Sequence, residues 1–367
     1  VGELMRVLML TTDLRLGGVE RTIINRAECL RDTGVDCAVA GLLERGPERG
    51  EARRRLEELG FTAFCAGIEG PGQLGRLGRL RRFVLDWEPD VLHAHLFHGH
   101  LAAWALRVSG VRTPQVWSHH ASAPRPWRLR RAFYRLCGRA ADAQVYVSEA
   151  VMRYQHSAAG PADFERVIHN GADLRAFLAI EPRPGPVFGA VGRLVPLHKG
   201  FDVLIRAFAR LPAEESRARL RIAGEGPERG ALEGLARAQG VADRVEFAGF
   251  VTDVPGFLAS VNVFVNPSRW EAFGNTLVEG MAAGLPCIAS RVQGLPEIGD
   301  DLVTWVEAGD VAGLCRAMAA ALGRSHPIEK IARQRRRMLE LFSRERMARD
   351  YLALYREVVR RLGSGGT

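Results

Sequence analysis

The chain has 367 residues, 47% of them apolar and 25% charged, with a net charge of +9 carried almost wholly by arginine; lysine stands only at Lys199 and Lys330. That length exceeds one typical core, so two domains are expected, and the composition is that of a globular protein, not a disordered or fibrous one. No run approaches the ~20 apolar residues of a membrane span, no leader pattern opens the chain, and no Cys/His finger, RNP sequence or basic zipper accompanies the charge to argue for nucleic acid. The six cysteines are scattered without a C-x-x-C, which fits reduced thiols in a cytoplasmic compartment.

The first apolar run, Arg6-Val7-Leu8-Met9-Leu10, reads as a buried parallel strand. Helical periodicity through Ile23, Ile24, Ala27 and Leu30 then places Gly17-Gly18-Val19-Glu20 where a strand turns into a helix. That geometry suits a phosphate or a sugar ring, and equally a plain tight turn. A strand over 36–43, an exposed helix over 48–59, a strand around Thr62-Ala63-Phe64 and a basic helix over 74–86 follow. Next, His93, His95, His98 and His100 crowd one strand end. No carboxylate or thiolate shares their spacing, so lining a crevice is favoured over metal ligation. Ser118-His119-His120 repeats the theme on the next strand. Neighbouring strand side chains point opposite ways, so at most one of these histidines faces a site, and His120 is the choice; an inert polar strand end is the competing reading.

From Arg125 to Arg139 the chain is strongly basic, with Leu129, Phe133 and Leu136 read as one apolar stripe opposite Arg128, Arg131, Arg135 and Arg139. Such a helix could rest on an anionic membrane or hold an anionic acceptor; a surface helix packed on the sheet is the plainer reading. Val147-Ser148-Glu149 reads as a strand end with a helix cap, and Asn170-Gly171-Ala172-Asp173 as a turn. The proline-rich segment 181–186 is the best linker in the chain.

Strand–helix alternation restarts with the run from Val187 to Arg193. Arg193 and Lys199 flank the following loop, a guanidinium fork and a point charge that together suit a diphosphate. Gly224-Glu225-Gly226 and Gly249 end the next two strands. The stretch from Trp270 to Ala289 then reads as strand, loop, helix, strand, with Glu271 in the loop, Phe273-Gly274-Asn275-Thr276 at the turn and Glu279 inside the helix. The first amides of a helix are unpaired and carry partial positive charge. Gly274 permits close approach, and Asn275 or Thr276 is expected to cap the first turn. The two carboxylates are poorly placed to share a proton. They are better placed to hold two parts of one elongated ligand, with its phosphates at the amides between; one capping and one solvated glutamate on an ordinary helix is the plain alternative. The tail over 331–362 is read as helical; its stripe of Met347, Tyr351, Leu354, Tyr355 and Val358 needs a partner surface, which the N-terminal half can supply.

Seven motifs thus stand in order along nearly the whole chain: Gly17-Gly18-Val19-Glu20, Ser118-His119-His120, Val147-Ser148-Glu149, Asn170-Gly171-Ala172-Asp173, V-G-R-L-x3-H-K-G-F from Val191 to Phe201, Gly224-Glu225-Gly226, and E-A-F-G-N-T-L-V-E from Glu271 to Glu279. In this the sequence resembles the retaining GT-B glycosyltransferases of the family-4, group 1 type. The resemblance implies an α/β fold of two Rossmann-like domains facing a central cleft. An acceptor-binding domain would cover 1–182, joined by a C-terminal helix of about 345–362 that crosses back to it, and a donor-binding domain would cover 183–344.

The resemblance also implies roles. Arg193 and Lys199 bind the donor diphosphate, Glu279 the ribose, and Glu271, with the Phe273-Gly274-Asn275 backbone and Thr276, the transferred sugar and phosphate. Gly17 and Gly18 approach the diphosphate, His120 contacts the sugar, and Gly249-Phe250-Val251 lie by the base. The implied reaction moves a sugar from a UDP- or GDP-sugar to a hydroxyl of a glycan, glycolipid or small-molecule acceptor. Configuration is retained, with no protein nucleophile, no cofactor and no metal. The expected setting is the bacterial cytoplasm, with peripheral contact to anionic membrane through the segment from Arg125 to Arg139. Ala272 and Gly280-Met281-Ala282 are minor departures from the family pattern. A related epimerase is not expected to carry the glutamate pair with R-x5-K, and a phosphorylase needs a cofactor-anchoring lysine for which Lys330 has no context. A non-catalytic sugar-binding module is disfavoured by the intact cations and glutamates.

Overall fold

A computed structural model describes residues 4–14, 18–43, 50–68, 71–120, 128–196, 198–212, 217–324 and 326–363. The chain divides into two compact units, Val1–Gly171 with Arg344–Thr367, and Ala172–Ser343.

In the first unit seven strands form one parallel sheet: β1 (Arg6–Asp13), β2 (Asp36–Leu43), β3 (Thr62–Ile68), β4 (Val91–His95), β5 (Gln115–His119), β6 (Ala143–Tyr146) and β7 (Glu165–Val167). Their order is β3-β2-β1-β4-β5-β6-β7, so the sheet has its topological switch between β1 and β4. Both faces are covered, which is why these strands read as continuous apolar runs. Val7 and Met9 join the core on one face, while Leu8 and Leu10 join the other with Leu80, Val84, Ala103 and Leu106. The helix expected over 74–86 is preceded by 3-10 turns over Pro71–Arg76, kinked at Gln73 (φ −111°, ψ 17°), and its α-helical part is Leu77–Trp87.

The tail read as helical is two helices, Ile328–Phe342 and Arg344–Gly363, separated by extended Ser343 (φ −72°, ψ 149°). The break lets each helix follow a different core. Met338 and Phe342 are buried in the second unit. Met347, Tyr351, Leu354, Tyr355 and Val358 are buried in the first, where their helix packs on Gly18–Asp32 as the apolar stripe requires.

The second unit repeats the plan with β8 (Val187–Val191), β9 (Arg219–Ala223), β10 (Val245–Gly249), β11 (Val263–Asn266), β12 (Cys287–Ser290) and β13 (Thr304–Val306). The order is β10-β9-β8-β11-β12-β13, with the switch between β8 and β11. The division between units falls at 171/172, ahead of the proline-rich segment. The reason is local packing. Phe177 and Ile180 are buried, the short helix Arg175–Leu178 lies on Asn275–Ala282, and Asn262 Nδ2 donates to the Arg183 carbonyl at 3.0 Å, so the segment 172–186 is held by the second core. Among the described residues no helix is long and apolar enough to cross a membrane.

Candidate active site

In the second unit the strand-end loops are locked together through backbone. Gly192 N donates to the Ala223 carbonyl (2.9 Å), Leu194 N to that of Glu225 (2.9 Å), and Gly224 N to that of Gly249 (2.7 Å). Gly224 holds φ 144°, and a methyl on it would stand 1.9 Å from the Gly192 carbonyl oxygen. The Gly224-Glu225-Gly226 motif is therefore a backbone clamp on the loop that carries Arg193, a role only glycine can fill. Arg193 itself is exposed. Gly249 has φ 72°, and Phe250 after it is 60% exposed.

The same logic joins β8 to β11. Arg269 N and Trp270 N donate to the His198 carbonyl (2.8 and 3.2 Å), a Cβ on Gly200 would lie 2.1 Å from the Pro267 carbonyl oxygen, and Arg269 holds Asp202 through a two-point ion pair (2.6 and 2.7 Å). That pair, first through its hydrogen bonds, pulls the Asp202 carboxyl below its ordinary range. The result brings two of the sequence-nominated residues into contact. Lys199 Nζ lies 2.5 Å from Glu271 Oε2, with side chains 22% and 16% exposed. Ser268 Oγ is 3.3 Å from the same carboxylate oxygen, and Glu271 N donates to Gln293 Oε1 at 3.0 Å. The ion pair thus sits at the switch point, where open parallel sheets bind ligands.

Beside it begins the helix Asn275–Ala282. Its N-cap is Gly274 (φ 120°, ψ 54°), with no side-chain cap hydrogen bond, so neither Asn275 nor Thr276 caps the turn as expected. Close packing explains the glycine: a methyl there would meet Leu295 Cδ2 at 2.3 Å. Without a side-chain cap the first amides carry the helix's partial positive charge. Phe273 is buried with its ring 5.7 Å from that of Phe342, which leaves its backbone as the part able to meet a ligand. Glu279 lies further along the helix, half-buried.

In the first unit Gly18 opens the helix Gly18–Asp32; Gly17 lies outside the described residues. Of the histidines read as lining a crevice, His98 is exposed on the helix Leu96–Val108, and the others turn into the interior. His93, His95, His100 and His119 are buried and occupied: His93 Nδ1 lies 2.6 Å from Tyr355 Oη and its Nε2 2.7 Å from Ser118 Oγ. His100 meets Tyr134 Oη (2.9 Å) and the Ser118 carbonyl (3.1 Å), and His119 meets Gln144 Oε1 (3.0 Å). His120, just past β5, is half-buried and lies 2.9 Å from His95 Nδ1. Burial keeps all of these rings neutral, with His119 pushed down to about 4 and His120 to about 3.

Comparison with known proteins decides what this arrangement belongs to. Residues 16–176 match Glycosyltransferase Family 4, and residues 185–324 match Glycosyl transferases group 1. The lipopolysaccharide core biosynthesis glycosyltransferase LpsD of Rhizobium meliloti is 32% identical over 82% of this chain and 84% of its own length. LpsE of the same organism is 29% identical over 92% and 95%. The chain belongs to the group 1 glycosyltransferases. Its fold is that of Anabaena HepE, solved in complex with UDP-glucose, at a TM-score of 0.80, 20% identity and coverage of 98% and 100%. Two parallel sheets with their helices are the GT-B architecture.

This glycosyltransferase departs from expectation at its basic helix, Arg128–Cys137; Arg125 lies outside the described residues. Phe133 and Tyr134 turn inward, but Leu129 and Leu136 are 77% and 81% exposed, so the three apolar residues do not form one buried stripe. Arg131 and Arg135, expected opposite, each donate Nε to the Ala158 carbonyl at 3.0 Å, two cations at the end of helix Glu149–Ala159. Sequence reading also missed Arg26, fully buried on the Gly18–Asp32 helix and 3.3 Å from His95 Nε2. An arginine between Ile23, Ile24, Ala27 and Leu30 was the available signal: it stands on the apolar side of its helix.

Proposed function

We propose that this glycosyltransferase moves a sugar from a UDP- or GDP-sugar to an acceptor hydroxyl, retaining anomeric configuration and needing no metal. The observation that carries the reading is the contact of Lys199 with Glu271 at the β8/β11 switch point, beside a helix start without a side-chain cap. Arg193 and Lys199 carry the donor diphosphate, and the amides at Gly274, Asn275 and Thr276 hold phosphate. Glu271 grips the transferred sugar and Glu279 the ribose. Gly249, Phe250 and Val251 lie by the base. Gly17 and Gly18 approach the diphosphate, and His120 contacts the sugar. The second unit is then the donor domain and the first the acceptor domain.

In transfer, the bond from the anomeric carbon to the diphosphate oxygen breaks. The acceptor oxygen bonds to the same face of that carbon, and its proton passes to the departing diphosphate. Arg193, Lys199 and the helix amides supply the positive charge that this leaving group needs. The roles of LpsD and LpsE in lipopolysaccharide core biosynthesis support a glycan or lipid-linked acceptor for this chain too. Incubation with UDP-, GDP- and ADP-sugars without acceptor should give slow release of nucleotide from a UDP- or GDP-sugar, unchanged by EDTA. Isomerised sugar without nucleotide release would make the protein an epimerase, and a loss restored by divalent metal would end the metal-free reading.

The exposed Leu129 and Leu136 favour one addition: contact with the cytoplasmic face of an anionic membrane, the leucines dipping into the interface and exposed Arg128 and Arg130 meeting lipid phosphates. The protein is expected to co-sediment with phosphatidylglycerol vesicles at low salt. The double change Leu129→Gln and Leu136→Gln should release it; undiminished sedimentation of that variant would refute the contact.

A further inference from the structure

The buried group that the proposed chemistry does not use is Arg26. Its Nη1 lies 3.3 Å from His95 Nε2, its Nη2 3.9 Å from Met347 Sδ, and its Cζ 3.9 Å from the centre of the Tyr351 ring. Among the described residues no carboxylate bonds to it, and its Nε makes no hydrogen bond. A desolvated cation without a counter-ion is costly, and what it faces is a histidine. His95 in turn lies 2.9 Å, through Nδ1, from Nε2 of His120.

Donor and acceptor counting fixes every proton in this chain. A guanidinium has donors only, so His95 Nε2 must accept from Arg26. Burial, His93 and the Arg26 charge all hold His95 neutral, so its one proton sits on Nδ1. That N–H can only donate to His120 Nε2, which therefore accepts. His120, neutral as well, is left with its proton on Nδ1, the opposite of the form a free histidine favours in water. The rings are held for this: His95 packs against His93 at 4.1 Å between centroids, and His93 is pinned by Tyr355 and Ser118.

We propose that Arg26 and His95 are positioning residues that lock His120 as its Nδ1–H tautomer, so that it offers the sugar a single fixed donor and no basic nitrogen. His120 Nε2 is already occupied, and Nδ1 makes no hydrogen bond among the described residues. The lock turns His120 into a one-directional probe for an oxygen acceptor on the substrate, a hydroxyl or ring oxygen, and removes it as a general base. The inference rests on the reading of His120 as a sugar contact only for its consequence; the tautomer stands or falls by itself.

Long-range proton–nitrogen NMR of histidine-labelled protein at pH 7.5, with His120 assigned through His120→Asn, reads the tautomer directly. His120 is expected to show a protonated Nδ1 and a bare Nε2. His95→Gln can accept from Arg26 and donate to His120, so it should keep that pattern and most of the transfer activity. The double change Arg26→Met and His95→Leu, which replaces the polar pair by apolar side chains of similar volume, should return His120 to a mixture richer in Nε2–H. Its kcat/KM should fall about tenfold, the worth of one oriented hydrogen bond. A wild-type His120 protonated on Nε2, or a tautomer unchanged in the double variant, would overturn the lock. Full activity of His120→Ala, with the Nδ1–H signature present in the wild-type protein, would instead remove the sugar contact and leave the lock standing.

Discussion

Lys199→Ala is expected to lower kcat/KM by about 10²–10³-fold, the usual loss when one preorganised charge facing a developing anion is removed. A second effect must be separated from it. Lys199 is also the partner of Glu271, 2.5 Å away, and the carboxylate is only 16% exposed. Removing the ammonium strands that carboxylate at a cost of about 1–3 kcal/mol, which would show as a lowered Tm. Glu271→Gln in the Lys199→Ala background keeps the side-chain shape and removes the stranded charge. If Lys199 merely neutralises Glu271, the double variant should regain stability and be no less active than Glu271→Gln alone. If Lys199 carries donor diphosphate, stability returns while activity stays far below that of Glu271→Gln alone. Unchanged kinetics in Lys199→Ala alone would count against the whole donor-site assignment.

The readings that survived contact with the structure share a physical basis. Strand positions came from unbroken apolar runs such as Val7 to Leu10, which a two-sided sheet demands, and loop positions came from glycines whose spacing marks strand ends. Gly200, Gly224 and Gly274 each sit where an added methyl would overlap a neighbour, so the motif residues are legible because backbone geometry admits nothing else. The errors lie where burial, not pattern, decides. Asn275 and Thr276 look like caps by residue type, yet the tight approach of Leu295 puts glycine at the cap position. Ser343 gives no strong breaker signal, and the helix ends there because the residues on either side belong to different cores. The histidines were legible as a cluster but not as a buried one. Their partners, Arg26, Tyr351 and Tyr355, come from the two ends of the chain, and no local spacing announces them.

That buried cluster predicts a steep acid transition in the first unit. His93, His95 and His100 are held well below the ordinary histidine range by burial first and neighbouring charge second, His119 is pushed down to about 4, and His120 to about 3. In the unfolded chain each takes up a proton near pH 6.5. Between about 6.5 and 4 the unfolded state therefore binds more protons than the folded one, and stability falls as pH falls. Each ring contributes up to about 1.4 kcal/mol per pH unit in that window. Together the five can remove several kcal/mol within one unit, a large part of the roughly 5–15 kcal/mol that holds a domain together. The second unit has one histidine lowered by burial, His326, and its Asp202–Arg269 pair, with the carboxyl held low, loses its contribution only as pH drops through the carboxylate range, about 4 and below. Amide hydrogen exchange from pH 7 to 5 is thus expected to show β4, β5 and the Arg344–Gly363 helix losing protection well before β8 and β11. A Tm and a protection pattern that stay flat over that range would mean the histidines titrate normally, and the buried network would have to be abandoned.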